Sequence, residues 1–556
     1  MFMGIKALKI REDIKRGIDP APKLGEVLSG KADKIYTDAK EFFKRTYFSE
    51  NIIDLLKRVV KAIKGEESSR IFILYSFYGG GKTHSILTIY HAFKNPDVLK
   101  DEEVLKDYDE IIKQEIRKLA DEIKKISKDL KIVIATGDDT RFFGHPTEPI
   151  EIPPYKIHTL WGYIAHNLGK YGLIENYDKN LSIPPQNKIN DLLSGEKAIF
   201  IIDELIDYAH SMIYSKNEYE RGYVRSLPQF IEYFAKAIRA SDSILIISLP
   251  VEWKEQKLET DWRYNKGFVQ SIWNALKDFA IPISPLRTEG ARDDVVEVLK
   301  RRIFDDISED IKISALQKLR EKAVAYEKYF IGYEEFLKKF ERTYPFHPDY
   351  LEVLEKLISH LKLQKTRDAL KITIEVVKSI EGDPEYITVW HINPSLDSLR
   401  PMLFRDPFVD YEMVYRKDIE DLSGVENLEL VKITLRTIFL STYIYDSPVR
   451  LDDFPDRKKL VRMVYEPRKF TENNWEPVDV LSAIEIAYGS EKVTHLMKSE
   501  DKFWFWKYAN VKELIEKRAR SLLEQDDDRI YETIEEYLKL SERGRLSDGR
   551  GGRRGR

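Results

Sequence analysis

The most constraining stretch of the chain is Ile71–Leu87, IFILYSFYGGGKTHSIL, where a strand, a glycine loop and a helix start follow one another without a break. The apolar and aromatic residues Ile71–Tyr75 predict a buried strand, and Gly79-Gly80-Gly81-Lys82-Thr83 predicts a P-loop between that strand and a helix. A loop that wraps a triphosphate must turn several backbone N–H groups inward, and residues without a Cβ permit both the curvature and the close approach. Lys82 adds a point charge toward the β- and γ-phosphates. Thr83 opens the helix, where its hydroxyl can coordinate Mg2+ while the first-turn N–H groups and the helix dipole favour the anion. The expected cradle is Ser76, Tyr78, Gly79, Gly80, Gly81, Lys82, Thr83 and His84, with ATP and Mg2+ as its ligands. Ser76 departs from the pattern, standing where such loops usually begin with glycine, so the backbone there must tolerate a side chain. The competing reading is a glycine-rich turn with no phosphate role; the strand-to-helix setting of the Gly-Lys-Thr triplet weighs against it.

A second segment answers the first. In AIFIIDELIDY, Ala198–Tyr208, a continuous apolar strand ends in two acids, which is how a Walker B segment delivers carboxylates to the carboxyl edge of a parallel sheet. Asp203 would hold the Mg2+ shell through water, and Glu204 would orient or deprotonate the attacking water. Taken alone, solvated acids at a strand end would be an equal reading; the upstream P-loop favours the catalytic one.

The separation of the two segments exceeds a minimal domain, and two features fill it. Residues 97–130 are highly charged, with Ile111, Ile112, Ile116, Leu119, Ile123 and Ile126 at helical intervals, which predicts a helical insertion. The strand KIVIA, Lys131–Ala135, then leads into a loop, Thr136–Pro154, able to cover a site. In HTLWGYIAHNL, His158–Leu168, both histidines are read as parts of a core-facing helix. Ser211–Arg221 reads as a loop and Leu227–Ile238 as an amphipathic helix. Ser243–Leu249 is a further strand whose carboxyl end should lie beside the P-loop strand. Ser248 would then reach the γ-phosphate or the lytic water, or be a plain strand-end serine; the two readings weigh equally. After a short strand, Ala280–Pro285, the helix Arg292–Phe304 carries Arg301 and Arg302. Either could act as an arginine finger on a neighbouring copy, which would imply a homo-oligomer. Paired basic residues late in a helix more often answer its dipole or stay solvated.

Composition adds exclusions rather than partners. A net charge of −4 with 33% charged residues gives no global field toward nucleic acid or membrane. The absence of cysteine rules out disulfides, thiolate metal sites and cysteine nucleophiles, and fits a reducing cytoplasm. No apolar run is long enough to predict a membrane span or a signal peptide, so no membrane partner is expected. Residues 1–40, with Pro20, Pro22, Gly25 and Gly30 among charges, read as an irregular N-terminal arm. The P-loop core is expected over 41–305, opening with a helix that Gly65 stops. A helical lid is expected over 306–381, broken at Tyr344-Pro345-Phe346-His347-Pro348, where Arg367 either reaches back to the nucleotide or is an ordinary surface arginine.

A region of mixed helix and short strand follows over 382–540. Its Phe503-Trp504-Phe505-Trp506 run is better read as a core strand than as a platform for stacking bases. The Arg/Gly tail over 541–556, rich in arginine and poor in anything to bury, reads as disordered. It could hold a phosphate backbone or serve only solubility.

The stretches SFYGGGKTHSILTIYHAF, HTLWGYIAHNLG, AIFIIDELIDYA, VLKRRIF, YPFHPDYLEVLEKL, TRDALKI and FWFWKYANVKELIEKRA, in that order, resemble the AAA+ ATPases of domain-of-unknown-function family 499. The resemblance implies an α/β fold of the P-loop NTPase (AAA+/ASCE-like) kind, with a parallel sheet, a helical lid and an α+β winged-helix-like C-terminal region. It also implies ATP binding, with Ser248 and Arg367 as sensor-like residues, and likeness to ATPases found beside DNA methyltransferases in anti-phage clusters. The expected activity is Mg2+-dependent ATP hydrolysis driving conformational change on DNA or a DNA-modifying partner. The alternative is a low-turnover, ATP-operated switch or scaffold.

Overall fold

The computed structural model describes residues 8–76, 81–254, 257–261, 263–285, 291–330, 332–380, 382–446, 448–523 and 538. The chain divides into two compact units, one formed by Ile10–Asp305 with Gln364–Lys371, the other by Met1–Lys9, Asp306–Leu363 and Ile372–Arg556.

The first unit is built on a parallel sheet of strands β1 (Ile71–Tyr75), β2 (Lys131–Thr136), β3 (Ala198–Asp203), β4 (Ile244–Leu249) and β5 (Ile281–Ile283). Their order across the sheet is β5-β1-β4-β3-β2. Leu74 pairs with Ser248 and Thr136 with Asp203, so the ends of β1, β4, β3 and β2 fall on one edge. The three inner strands β1, β4 and β3 are buried on both faces, as a parallel sheet with helices on either side requires, while the edge strands β2 and β5 leave Lys131 and Pro282 exposed. Ile71, Ile73, Phe200, Ile202 and Ile247 face one core, and Phe72, Leu74, Ile199, Ile201 and Ile246 face the other.

The helices follow from their caps. Helix α1 (Glu50–Lys64) starts at Ser49, whose side chain accepts from the Ile52 N–H, and stops at Gly65 with φ 77°. Helix α2 (Lys82–Lys94) begins directly after the glycine loop, and α3 (Leu160–Asn167) buries Trp161, Ile164 and Ala165. Helix α4 (Leu205–Ile213) continues from β3, and α5 (Glu218–Arg239) covers the same face of the sheet. Two expectations are corrected here. The stretch Ser211–Arg221, read as a loop, holds the end of α4 and the beginning of α5, because Asn217 caps a helix that then runs straight through Pro228. Residues before Lys40, read as irregular, contain short helices such as Leu24–Leu28 and Lys34–Thr37, and bury Leu24, Ile35 and Tyr36 in the second core. Helix α6 (Ala291–Ile303) follows β5. Of the span expected as a lid, only Gln364–Lys371, at the start of helix α7 (Lys365–Ser379), groups with the sheet.

The second unit is mostly helical. Pro348–His360 restarts after the Tyr344–Pro348 break with proline at its first turn and the His347 side chain accepting from the Asp349 N–H. Asp349 is held by both arms of Arg462 at 3.0 Å. Leu428–Thr442 is buried along its length, and its hydroxyls at Thr437, Ser441 and Thr442 donate to carbonyls one turn back. An antiparallel hairpin, Leu496–Ser499 with Lys502–Phe505, buries Phe503, Trp504 and Phe505, so these three aromatics pack inward as a core strand. The Arg/Gly tail lies outside the described residues. Among the described residues no helix is long and apolar enough to cross a membrane.

Candidate active site

The carboxyl edge of the sheet is where an open parallel sheet leaves a crevice for ligands, and here it opens into a cavity of about 270 Å3. The P-loop residues Tyr78, Gly79 and Gly80 lie outside the described residues. Ser76 continues the pairing of β1, its N–H donating to the Leu249 carbonyl at 3.4 Å. Its own carbonyl accepts from Lys82 Nζ at 2.7 Å, so the serine that replaces the usual glycine offers its backbone to the lysine. Gly81 sits at φ 86° as the residue before α2, a left-handed conformation that explains a glycine there.

From α2, Thr83 Oγ1 donates to Asp203 Oδ2 at 3.1 Å, and from β4 Ser248 Oγ donates to Asp203 Oδ1 at 2.5 Å. Ser248 Oγ also accepts from the Glu204 N–H at 3.2 Å. Asp203, Glu204, Thr83, Lys82 and Ser248 thus share one wall. Burial raises the proton affinity of Asp203, against Ser248, Lys82 and Thr83. Burial, then Asp203, Asp207 and Asp138, push Glu204 up to about 8, and Lys82 opposes them. Burial pushes the Lys82 ammonium down, while Asp203, Asp207 and Glu204 pull it up. His84 lines the cavity with its ring 4.8 Å from Phe42. Burial, then Arg302, lowers it to about 4, so it is neutral at neutral pH.

Glu204 adopts φ 52°, a left-handed turn that a side chain rarely takes and that joins β3 to α4. The turn fits because Gly137, just past β2, has no Cβ; one built there would stand 2.2 Å from the Glu204 carbonyl oxygen and 2.6 Å from Tyr208 Cβ. Gly137→Ala is therefore expected to destabilise this unit by about 1–3 kcal/mol through overpacking. Faster hydrogen exchange of the β3 amides in the variant would measure it.

The remaining expected residues divide. Arg367 lines the cavity and donates to Gln364 Oε1 at 3.5 Å. Arg302 also lines it, with Nη1 3.1 Å from Asp13 Oδ2 and Nη2 2.6 Å from the Tyr36 hydroxyl. Arg301 does not line it. Its guanidinium lies 4.1 Å from the Tyr108 ring centroid and 3.5 Å from Asp107, and the residue is 6% exposed. Both arginines are thus buried on partners within their own chain.

Sequence reasoning missed several lining residues. Asp138 follows β2, accepting from Thr136 Oγ1 at 2.7 Å and the Gly25 N–H at 3.2 Å. An acid two residues past a parallel strand was the available signal. Asp207, in the first turn of α4, accepts from the Tyr264 hydroxyl at 2.5 Å. The segment Pro20–Lys23 with Tyr36, Arg45 and Tyr47 also lines the cavity, and no local pattern announces it.

The donor set suits a hard cation: the Thr83 hydroxyl and the Asp203 carboxylate meet at the carboxyl edge of the sheet. Among the described residues no group of three or more His, Asp or Glu forms a metal cage.

An α/β fold with a five-stranded parallel sheet and a cavity at its carboxyl edge is compatible with a P-loop protein. The DUF499 N-terminal domain matches residues 3–281 and the DUF499 second domain matches residues 290–505, so the chain belongs to the DUF499 family. No curated protein matches it. Among solved structures it is similar to the Aeropyrum pernix ORC1 protein in complex with DNA, with a TM-score of 0.32 and 13% identity over 85% of this chain and 92% of that one.

Proposed function

We propose that the protein is a Mg2+-dependent ATPase of the AAA+ kind, with Lys82, Thr83, Asp203, Glu204, Ser248 and Arg367 as its working residues. The observation that carries this reading is the pair of hydroxyls, Thr83 from the P-loop helix and Ser248 from β4, on the two oxygens of Asp203. Thr83 and Asp203 are the residues to hold Mg2+. Bound there, the ion would neutralise charge on the phosphates. Lys82 exchanges the Ser76 carbonyl for phosphate oxygens, Glu204 accepts the proton of the attacking water, and Arg367 faces the phosphates from the lid side. Ile35, Tyr36, Tyr47, Ile52 and Leu370 supply an apolar wall for the base.

Hydrolysis would drive conformational change on DNA or a DNA-modifying partner such as a methyltransferase, in a homo-oligomer. This part rests on the family resemblance, with the hairpin of the second unit as the wing of a winged helix and the tail as a phosphate-binding element. Calorimetric titration with ATP and Mg2+ tests the core of the reading. Lys82→Ala is expected to weaken binding at least about tenfold, the loss of one charge-assisted interaction. Wild-type protein that binds no ATP, or a variant that binds it equally well, would remove the proposal. Phosphate release with and without DNA or RNA then tests the coupling.

A further inference from the structure

Helix α7 enters the cavity wall with three side chains, Thr366, Arg367 and Leu370. Thr366 is 8% exposed, and its Oγ1 has no hydrogen-bond partner. Position explains the missing bond. Inside helices of this chain a threonine can donate to the carbonyl one turn back, as Thr88 does to His84 at 2.9 Å and Thr437 does to Ile433 at 2.9 Å. Thr366 is the second residue of its helix, so the carbonyl four places earlier belongs to Lys362, outside the helix and at φ 51°. A buried hydroxyl without a partner costs free energy, and at a cavity wall a ligand can offset that cost by supplying the partner.

The neighbours of Thr366 narrow down which part of a ligand it meets. On the same helix Arg367 offers a cation suited to phosphate, and Leu370, one turn on from Thr366, offers apolar surface suited to a base. The moiety between phosphate and base is the sugar, and its hydroxyls are the neutral donors and acceptors that a threonine hydroxyl pairs with. We propose that Thr366 Oγ1 is the hydrogen-bond partner of a ribose hydroxyl of the bound nucleotide, and so selects ribonucleotides over their deoxy counterparts. This inference rests on the reading of the cavity as an ATP site.

The test is the affinity of the full-length protein for ATP, 2′-deoxy-ATP and 3′-deoxy-ATP, in wild type, Thr366→Val and Thr366→Ser. Wild type is expected to prefer ATP over one of the deoxy analogues by about 5–10-fold, the span of one neutral hydrogen bond. Thr366→Val should lower ATP affinity to the level of that analogue and leave the analogue's own affinity unchanged, while Thr366→Ser keeps the preference. Because valine removes only an unpartnered hydroxyl, Thr366→Val should melt at or above the wild-type temperature. Equal binding of all three nucleotides by the wild type, equal losses for all three in Thr366→Val, or a lower melting temperature in that variant would each overturn the assignment while leaving the ATP site standing. Wild-type protein that binds none of them would overturn both.

Discussion

Glu204→Gln is expected to lower Mg2+-dependent phosphate release at least about 100-fold, the lower end of what a positioned general base contributes, while ATP affinity stays within about threefold. The separation of the two effects follows from the site. The backbone of Glu204, not its side chain, is tied to Ser248, and the hydroxyls of Thr83 and Ser248 rest on Asp203. An amide at position 204 therefore leaves the Lys82–Thr83–Asp203 wall in place and removes only the group that can accept a proton. The fold should tolerate the change as well. Glu204 shares its surroundings with Asp138, Asp203 and Asp207, and all three raise its proton affinity. With its proton affinity raised to about 8, Glu204 is largely uncharged at neutral pH, so the neutral amide should leave the melting temperature there unchanged and raise it only above about pH 8, where the wild-type side chain would ionise beside three acids. Phosphate release measured beside ATP titration checks the prediction; equal turnover in the two proteins would take Glu204 out of the chemistry.

What could be read in advance was what local pattern encodes. Buried strands announced themselves as apolar runs, and the glycine loop and the Asp203-Glu204 pair marked the ends of two of them. The expectation that β4 would end beside the P-loop strand matches the pairing of Leu74 with Ser248. Pattern failed where a residue's meaning depends on distant chain. Ser211–Arg221 read as a loop because it is polar, yet a helix capped at Asn217 and held by packing on the sheet begins within it. The N-terminal segment has turn residues and no period, so nothing in it foretold that Pro20–Lys23 and Tyr36 would wall the cavity. Arg302 looked like a surface cation late in a helix, while its partner Asp13 lies 289 positions away. Asp138 sat in view after a strand, but its role as a lining acid depends on which strand becomes the neighbour of β3.

The largest expected loss of stability comes from that long-range pairing. The Asp13 side chain is fully buried, with Oδ1 3.0 Å from Arg45 Nη2 and Oδ2 3.1 Å from Arg302 Nη1. Arg45 has a second anion in Glu41 at 2.6 Å, and among the described residues Arg302 has besides Asp13 the neutral hydroxyl of Tyr36. Asp13→Ala would leave the Arg302 guanidinium in the interior without its carboxylate, and breaking a buried pair in this way costs about 3–5 kcal/mol. The chain has two units and need not unfold in one step, so a single melting temperature would blur the result. Hydrogen exchange of the β1, β3 and β4 amides reports the opening of the sheet unit alone, and their protection should fall by that amount.

Because Arg45 and Arg302 also line the cavity, ATP affinity should fall with it. Removing both partners separates the charge from the fold. Asp13→Leu with Arg302→Met takes away the stranded cation along with the anion, and such exchanges are often neutral, so the pair should cost clearly less than Asp13→Ala alone. A double variant as unstable as the single one would mean that the packing of the N-terminal segment, rather than the buried charge, is what Asp13 secures.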